Sequence, residues 1–481
     1  MPDRTEIVAH LTALLGPENV VTDETELKLS SIDRYRKYQD IHKVFVLPIP
    51  AAIAYATSTA DVAAVLRYAN EHGINVVPRT GRSATEGGLE TARPDSIVLD
   101  GSRMNRILDI DSYNMQVTVE CGVCLQDLED EVRALGLTTG HSPQSKPLAQ
   151  LGGLTATRSI GQLSTLYGGI EDMVVGLEAV LPDGEVVRIK NVPRRAAGPD
   201  IRHIVIGNEG ALCYITEVTV KLFRFTPETT RFLGYRVPDM ATGFPILREV
   251  MAEGLRPAVM RLYDPDDAAG HFAPVADGQC VMIYSAEGNQ RIVDATIAAI
   301  EEIVARHPEV VPLDPAYFEN WFAHLNWGVE QIKQERQEIR QTSEIGFTTE
   351  VSGSWSEIND IYQTTVDRVR AEIPNLTWIG GHSSHSYQTG TNMYFVYYYR
   401  VDCDPADEVE TYHVPVNRII CEQALALGGS IVHHHGIGKA RTPWTQEEHG
   451  SAYRLLHTLK TAFDPNQIMN AGTIFPISEG N

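Results

Sequence analysis

The stretch Ile74-Asn75-Val76-Val77-Pro78-Arg79-Thr80-Gly81-Arg82-Ser83-Ala84-Thr85-Glu86-Gly87-Gly88 decides the fold. Ile74 to Pro78 is apolar and short, the pattern of a buried strand. It runs into Arg79 to Gly88, where turn formers and small side chains are too dense for regular structure. The loop therefore sits at a strand's end. Upstream, Thr59 to His72 has the form of a capped amphipathic helix: Asp61 lies in the first turn, Val62, Val65, Leu66 and Ala69 share a face, and Gly73 ends it. Successive small residues let backbone N–H groups approach an anion, so the loop suits a pyrophosphate. It matches neither Gly-x-Gly-x-x-Gly nor a Walker A sequence, which disfavours a nicotinamide Rossmann domain and a P-loop. Taken alone, it fits an ordinary surface loop equally well.

Further strands are predicted at Ser96 to Asp100 and Met115 to Glu120, a helix from Leu125 to Leu135, and a second glycine-rich stretch from Gly152 to Gly169. Met173 to Leu181 and Glu185 to Ile189 flank Pro182-Asp183-Gly184, a hairpin signal, and Tyr214 to Leu222 alternates as a half-buried strand. These elements describe an α+β domain over residues 1–226. After Pro227 glycine thins out; helices near Gly243 to Ala252, Ile292 to Ala305 and Ile358 to Ala371, and strands at Ala258 to Tyr263, Cys280 to Tyr284 and Met393 to Tyr399, predict a mixed α/β cap over 227–427. Glycines return at Gly428-Gly429 and Gly436-Ile437-Gly438, so 428–481 is expected to rejoin the first domain.

Composition narrows the function. The chain has 481 residues and a formal charge of −23 without a basic run, which disfavours nucleic acid as a partner. Six cysteines are too sparse for a disulfide scaffold, Met1 to His10 lacks a signal-peptide pattern, and no run reaches the ~20 apolar residues of a membrane span. A cytoplasmic location is expected. Cys121 and Cys124 form Cys-x-x-Cys at a strand-to-helix junction, but no second pair completes a zinc set, so packing is the reading.

Together with Gly152-Gly153-Leu154-Thr155-Ala156-Thr157, Tyr167-Gly168-Gly169-Ile170-Glu171-Asp172 and Ile206-Gly207-Asn208-Glu209-Gly210, the first loop resembles the FAD-binding flavoproteins of the p-cresol methylhydroxylase and vanillyl-alcohol oxidase superfamily, over nearly all of the chain. Within it, Tyr167 to Asp172, Pro257 to Asp264, Met393-Tyr394-Phe395 and Gly428 to Lys439 are most similar to alkyldihydroxyacetonephosphate synthases and bacterial FAD-linked oxidases. The resemblance implies a PCMH-type FAD domain under a substrate cap. It implies FAD contacts from Pro78, Arg79, Thr80, Gly81, Arg82, Ser83 and Ala84, from Gln144, Ser145, Gln150 and Gly153, from Thr157, Arg158, Ser159 and Ile160, and from Glu209, Gly210 and Ile215. Thr80 and Arg82 depart from the glycines usual there; Arg82 is expected to pair with the pyrophosphate. Ser83 stands about where covalently tethered relatives carry a histidine, so noncovalent FAD is expected.

The resemblance also places Arg261, Arg336, Tyr394 and His434 in the active site, with His385 as a second base. The residues themselves leave alternatives open. His433, His434 and His435 cannot all aim at one metal from a regular strand, and the Gly-Asp-Gly-Asn element of metal-binding relatives is absent beside His382 and His385, so no metal is expected. Alternation puts Tyr394 and Val396 on one strand face and Phe395 and Tyr397 on the other. Arg261, inside the apolar strand Val259 to Tyr263, must pair either internally or with an anionic substrate. Arg336 lies on a charge-rich helix that a solvated face also explains.

The expected activity is an FAD-dependent oxidoreductase taking hydride from an alcohol or 2-hydroxy acid to flavin N5, with His434 or Tyr394 accepting the proton. The alternative is an ether-forming transferase of the alkyldihydroxyacetonephosphate synthase kind, lowered by an ending, Ser478-Glu479-Gly480-Asn481, that lacks the peroxisomal Ser-Lys-Leu address. The expected partner is a small-molecule substrate, and a homodimer is left open.

Overall fold

A computed structural model of the chain describes residues 2–477, so the terminal tetrapeptide noted above lies outside the described residues. The helix Thr59–His72 begins where Ser58 accepts a hydrogen bond from the Asp61 N–H and ends at Gly73, whose φ of 67° is the left-handed cap. Its Val62, Val65, Leu66 and Ala69 are fully buried, each branched side chain contributing about 1.5–3 kcal/mol of apolar burial. They pack on a four-stranded sheet in which Ala52–Tyr55, Ile97–Asp100 and Val76–Arg79 run parallel. A five-stranded antiparallel sheet follows, in the order Ile107–Asp111, Gln116–Glu120, Tyr214–Lys221, Val174–Val180, Val186–Ile189. Pro182-Asp183-Gly184 joins its last pair, with Gly184 at φ 85°.

The cap is a seven-stranded antiparallel sheet, in the order Val311–Leu313, Arg231–Val237, Cys280–Ala286, Val259–Tyr263, Leu376–Ser383, Gly390–Arg400, Glu344–Ser354. The helices Met240–Ala252, Gln290–Val304, Ile358–Glu372 and Val414–Ala426 contribute to the large core built on this sheet. Strand alternation sorts the tyrosines as expected: Phe395, Tyr397 and Tyr399 are fully buried in that core, while Tyr394, Val396 and Tyr398 line a cavity on the opposite face.

Two segments tie the halves together. Beyond Gly428, Ser430 pairs with cap residue Ser352, and farther on the chain reaches the first domain, where Asn470 donates to the Val76 carbonyl at 2.8 Å. The N-terminal segment packs against the cap: Tyr35, Tyr38 and Ile41 join the cap core. This apolar face of the 1–226 span therefore packs with the cap, while Arg36 of the same segment pairs with Glu90 of the first domain. All six cysteines are free, Cys121 sealed against Gly152 and Cys124 facing the carbonyls of Lys146 and Pro147.

Candidate active site

One cavity of about 1570 Å³ runs from the Arg79–Gly88 loop to the cap sheet. Of the residues expected at FAD, all but Arg158 line it. Arg158 is the exception: it follows Thr157, the C-cap of a short helix, at φ 52°, and its exposed guanidinium pairs with Glu171 at 3.2 Å, outside the cavity. The Arg79 guanidinium also turns away, to a buried 2.6 Å ion pair with Asp100, leaving backbone at the cavity.

The loop fits a dinucleotide phosphate. Among the described residues, no protein acceptor meets the backbone N–H groups of Gly81 to Ala84. A Cβ on Gly81 would stand 2.6 Å from the Leu148 carbonyl, so only glycine lets this loop lie against the Leu148–Gln150 backbone. Arg82 holds the left-handed conformation at φ 57°, where relatives use glycine, with its side chain exposed. Beside the loop, the buried Gln150 Oε1 has no hydrogen-bond partner. Free amides, a close backbone approach and an orphan polar atom together suit FAD.

Glu209 joins cofactor side to catalytic side. Its carboxylate accepts from the N–H groups of Ile437 and Gly438 at 2.8 and 2.7 Å, and burial pushes its pKa up to about 7. The histidine run is held from the other direction by Glu350. Its carboxylate accepts from the backbone N–H groups of His433, His434 (3.2 Å) and His435 (2.9 Å), so the loop wraps an anion with three consecutive amides. Arg441, fully buried, donates to the Glu350 and Ile431 carbonyls at 2.9 and 2.7 Å and pairs with Glu86 at 3.1 Å. Burial alone would raise the Glu86 pKa, but Arg441 and His435 hold it below the usual carboxylate range.

Sequence reasoning missed Glu86, Glu350 and Arg441. Glu350 stands among Thr348, Thr349 and Ser352 in a strand of mixed polarity, so it lacked the signal of a charge in an apolar strand that Arg261 gave; Glu86 and Arg441 carried none either.

Arg261, Tyr394, His434 and His385 all line the cavity. His434 Nδ1 lies 2.8 Å from His433 Nδ1 and 3.7 Å from Glu350 Oε2. Its pKa is driven well below the ordinary imidazole value by burial and by the neighbouring histidines, so it is neutral at pH 7. Tyr394 stacks on His382 at 4.9 Å and on His434 at 5.9 Å and donates to Thr348 Oγ1; burial pushes its pKa up to about 12. His385 bonds Ser164 Oγ at 2.8 Å and stacks on His433. His382, beside Tyr394, has Nδ1 on Asp267 at 2.5 Å. Arg261 donates to Tyr263 Oη and Gln162 Oε1 and lies over the Trp321 ring. Arg336 lines the same cavity, but pairs with Asp40 at 2.5 Å.

Ligand atoms of Glu350, His433 and His434 lie within 4.8 Å of one another, close enough in principle for a metal ion. The Glu350 oxygens already accept from three amides and face Arg441, donors that a cation would displace or oppose.

Residues 50–190 match the family described as FAD binding domain, and residues 226–474 that of FAD linked oxidases, C-terminal domain. The chain belongs to the FAD-linked oxidoreductases. This oxidoreductase is 61% identical over 480 residues, 99% of each chain, to the FAD-linked oxidoreductase YgcU of Escherichia coli K12. It is 26% identical to the alkyldihydroxyacetonephosphate synthase of Dictyostelium discoideum, covering 99% of this chain and 82% of that one. It is also 26% identical to the glycolate oxidase subunit GlcD of Bacillus subtilis, over 98% and 97%. Its fold matches 4-ethylphenol oxidase from Gulosibacter chungangensis with a TM-score of 0.79 at 18% identity, covering 99% and 97%.

Proposed function

We propose that this FAD-linked oxidoreductase oxidises the hydroxyl-bearing carbon of a small anionic substrate, a 2-hydroxy acid. The observation that carries the reading is Arg261. It is 2% exposed, and among the described residues no carboxylate forms an ion pair with it; its hydrogen-bond partners are the neutral Tyr263 and Gln162. The Asp267 carboxylate feels its charge but makes no ion pair with it, and the buried Arg261 Nε–H has no acceptor; a substrate carboxylate supplies one. The likeness to a glycolate oxidase subunit supports the same class.

FAD, held by the Gly81 to Ala84 amides and the segments around Gln150, Thr157 and Glu209, supplies the two-electron acceptor. The protein does the rest. Arg261 anchors the substrate's charge. His434, neutral and lining the cavity, takes the hydroxyl proton. Tyr394, its phenol kept protonated by burial, stacks beside His434 and bounds the reacting space. The cofactor is held without a covalent bond, since Ser83 offers no imidazole at the loop. No metal takes part.

Anaerobic mixing with glycolate, D-lactate, simple alcohols and phosphorylated ketones tests this reading. A 2-hydroxy acid is expected to bleach the flavin, before and after dialysis against EDTA. Bleaching by none of the hydroxy acids, or turnover of a phosphorylated ketone without net reduction, would replace this reading with the ether-forming one.

A further inference from the structure

Oxidising a C–H/O–H pair to a carbonyl delivers two electrons and one proton to FAD and leaves the hydroxyl proton with the protein. With His434 as its acceptor, the reading on which this inference rests, that proton starts in a buried place and must reach water.

The contacts behind His434 lead outward. His434 Nδ1 meets His433 Nδ1 at 2.8 Å, and His433, which does not line the cavity, turns its other ring nitrogen, Nε2, to Tyr387 Oη at 2.7 Å. Tyr387 is 41% exposed. His433 is thus bonded through both nitrogens, once toward the site and once toward the surface. We propose that His433 and Tyr387 form a proton exit from His434 to solvent.

Hydrogen-bond polarity fixes the arrangement. For His434 to present a bare Nε2 to the substrate while neutral, its proton sits on Nδ1 and is donated to His433 Nδ1. His433 then carries its proton on Nε2 and donates to Tyr387, which leaves the Tyr387 O–H to donate to solvent. As the substrate O–H bond breaks, its proton bonds to His434 Nε2. The Nδ1 proton of His434 passes to His433, the Nε2 proton of His433 passes to Tyr387, and the former hydroxyl proton of Tyr387 enters water. Every nitrogen or oxygen that gains a proton bond loses one or was bare, and one proton leaves for each one taken. The row is restored when the electron acceptor that reoxidises the flavin takes the two electrons, the flavin's proton and the His434 Nε2 proton, and one proton is drawn back along the same bonds. The carboxylate of Glu350, 3.7 Å from His434 Nδ1, stabilises the transient imidazolium.

Two measurements on the holoenzyme decide it. In 15N spectra of the histidine-labelled protein, assigned with His433→Gln and His434→Gln, His434 is expected to be bare at Nε2 and His433 bare at Nδ1; the opposite tautomers overturn the proposal. In weakly buffered anaerobic stopped flow, with the hydroxy acid that bleaches the flavin and a pH-indicator dye, parent enzyme is expected to release its proton as the flavin bleaches. In Tyr387→Phe, proton release is expected to trail bleaching by about 10²-fold, with added imidazole restoring the coincidence. Coincident traces in Tyr387→Phe overturn the exit and leave His434 as acceptor. Parental bleaching in His434→Gln instead overturns the reading beneath it.

Discussion

At the scale of single residues, burial sets the protonation states that the chemistry needs. His434 is neutral because burial desolvates it and other histidines surround it. Its replacement by Asn is expected to leave FAD bound, since the phosphate contacts come from other loops, and to slow flavin reduction by about 10²- to 10⁴-fold. Stopped-flow reduction of the mutant holoenzyme checks this; a near-parental rate removes the assignment. His413 shows the same physics put to structural use. It is 3% exposed, stacks on Tyr35 at 4.9 Å and bonds Tyr397 and Asn417, and burial lowers its pKa from 6.5 to about 4. The folded state therefore binds fewer protons than the unfolded one between those values. Its share of stability is complete above pH 6.5 and is lost as pH falls toward about 4. His413→Gln is expected to flatten the acid limb of a stability profile by about 1.4 kcal/mol per pH unit across that window, as urea titrations at several pH values would show.

At the scale of elements, the loop from Ser430 to Gly438 has no helix or strand to hold it and is fixed by charges beneath it. Three amides on Glu350, two on Glu209 and the bridge of Arg441 between Glu86 and Glu350 replace regular structure. The close fit is visible at Gly438, φ 55°, where a Cβ would fall 1.8 Å from the Glu86 carbonyl oxygen. Arg441→Met keeps much of the volume but leaves two buried carboxylates without their cation. It is expected to cost about 3–5 kcal/mol in equilibrium unfolding and to lower flavin reduction as the histidines lose register. Unaltered unfolding would show that the Glu350 amide contacts suffice alone.

At the scale of the whole molecule, the active site exists only because four stretches of chain meet: the FAD-side loops, the inner face of the cap sheet, the returning C-terminal segment, and the N-terminal segment whose Arg34 and Asp40 pair with Glu335 and Arg336. No single domain holds it. With the cofactor held as proposed, by packing and amides from several segments and no covalent bond, acid or heat is expected to release all of the flavin into the supernatant. Yellow colour remaining on the precipitated chain would show a covalent tether instead.

The sequence by itself determined the local elements. The capped helix Thr59–His72, the strand entering the Arg79–Gly88 loop and the alternation around Tyr394 follow from periodicity and from glycine's backbone freedom, which act over a few residues. Family resemblance among motifs located the cavity, and all but one of the FAD-side residues it indicated line that cavity. Only the tertiary structure decided which charges pair. It gave Arg336 to Asp40, sent Arg158 outside, left Arg261 without an ion-paired carboxylate among the described residues and set Glu350 under the histidines. Those partners are separated by up to 296 positions along the chain in the case of Asp40 and Arg336. An ion pair depends on distance in space and on lost solvation, and neither quantity exists until the chain has folded.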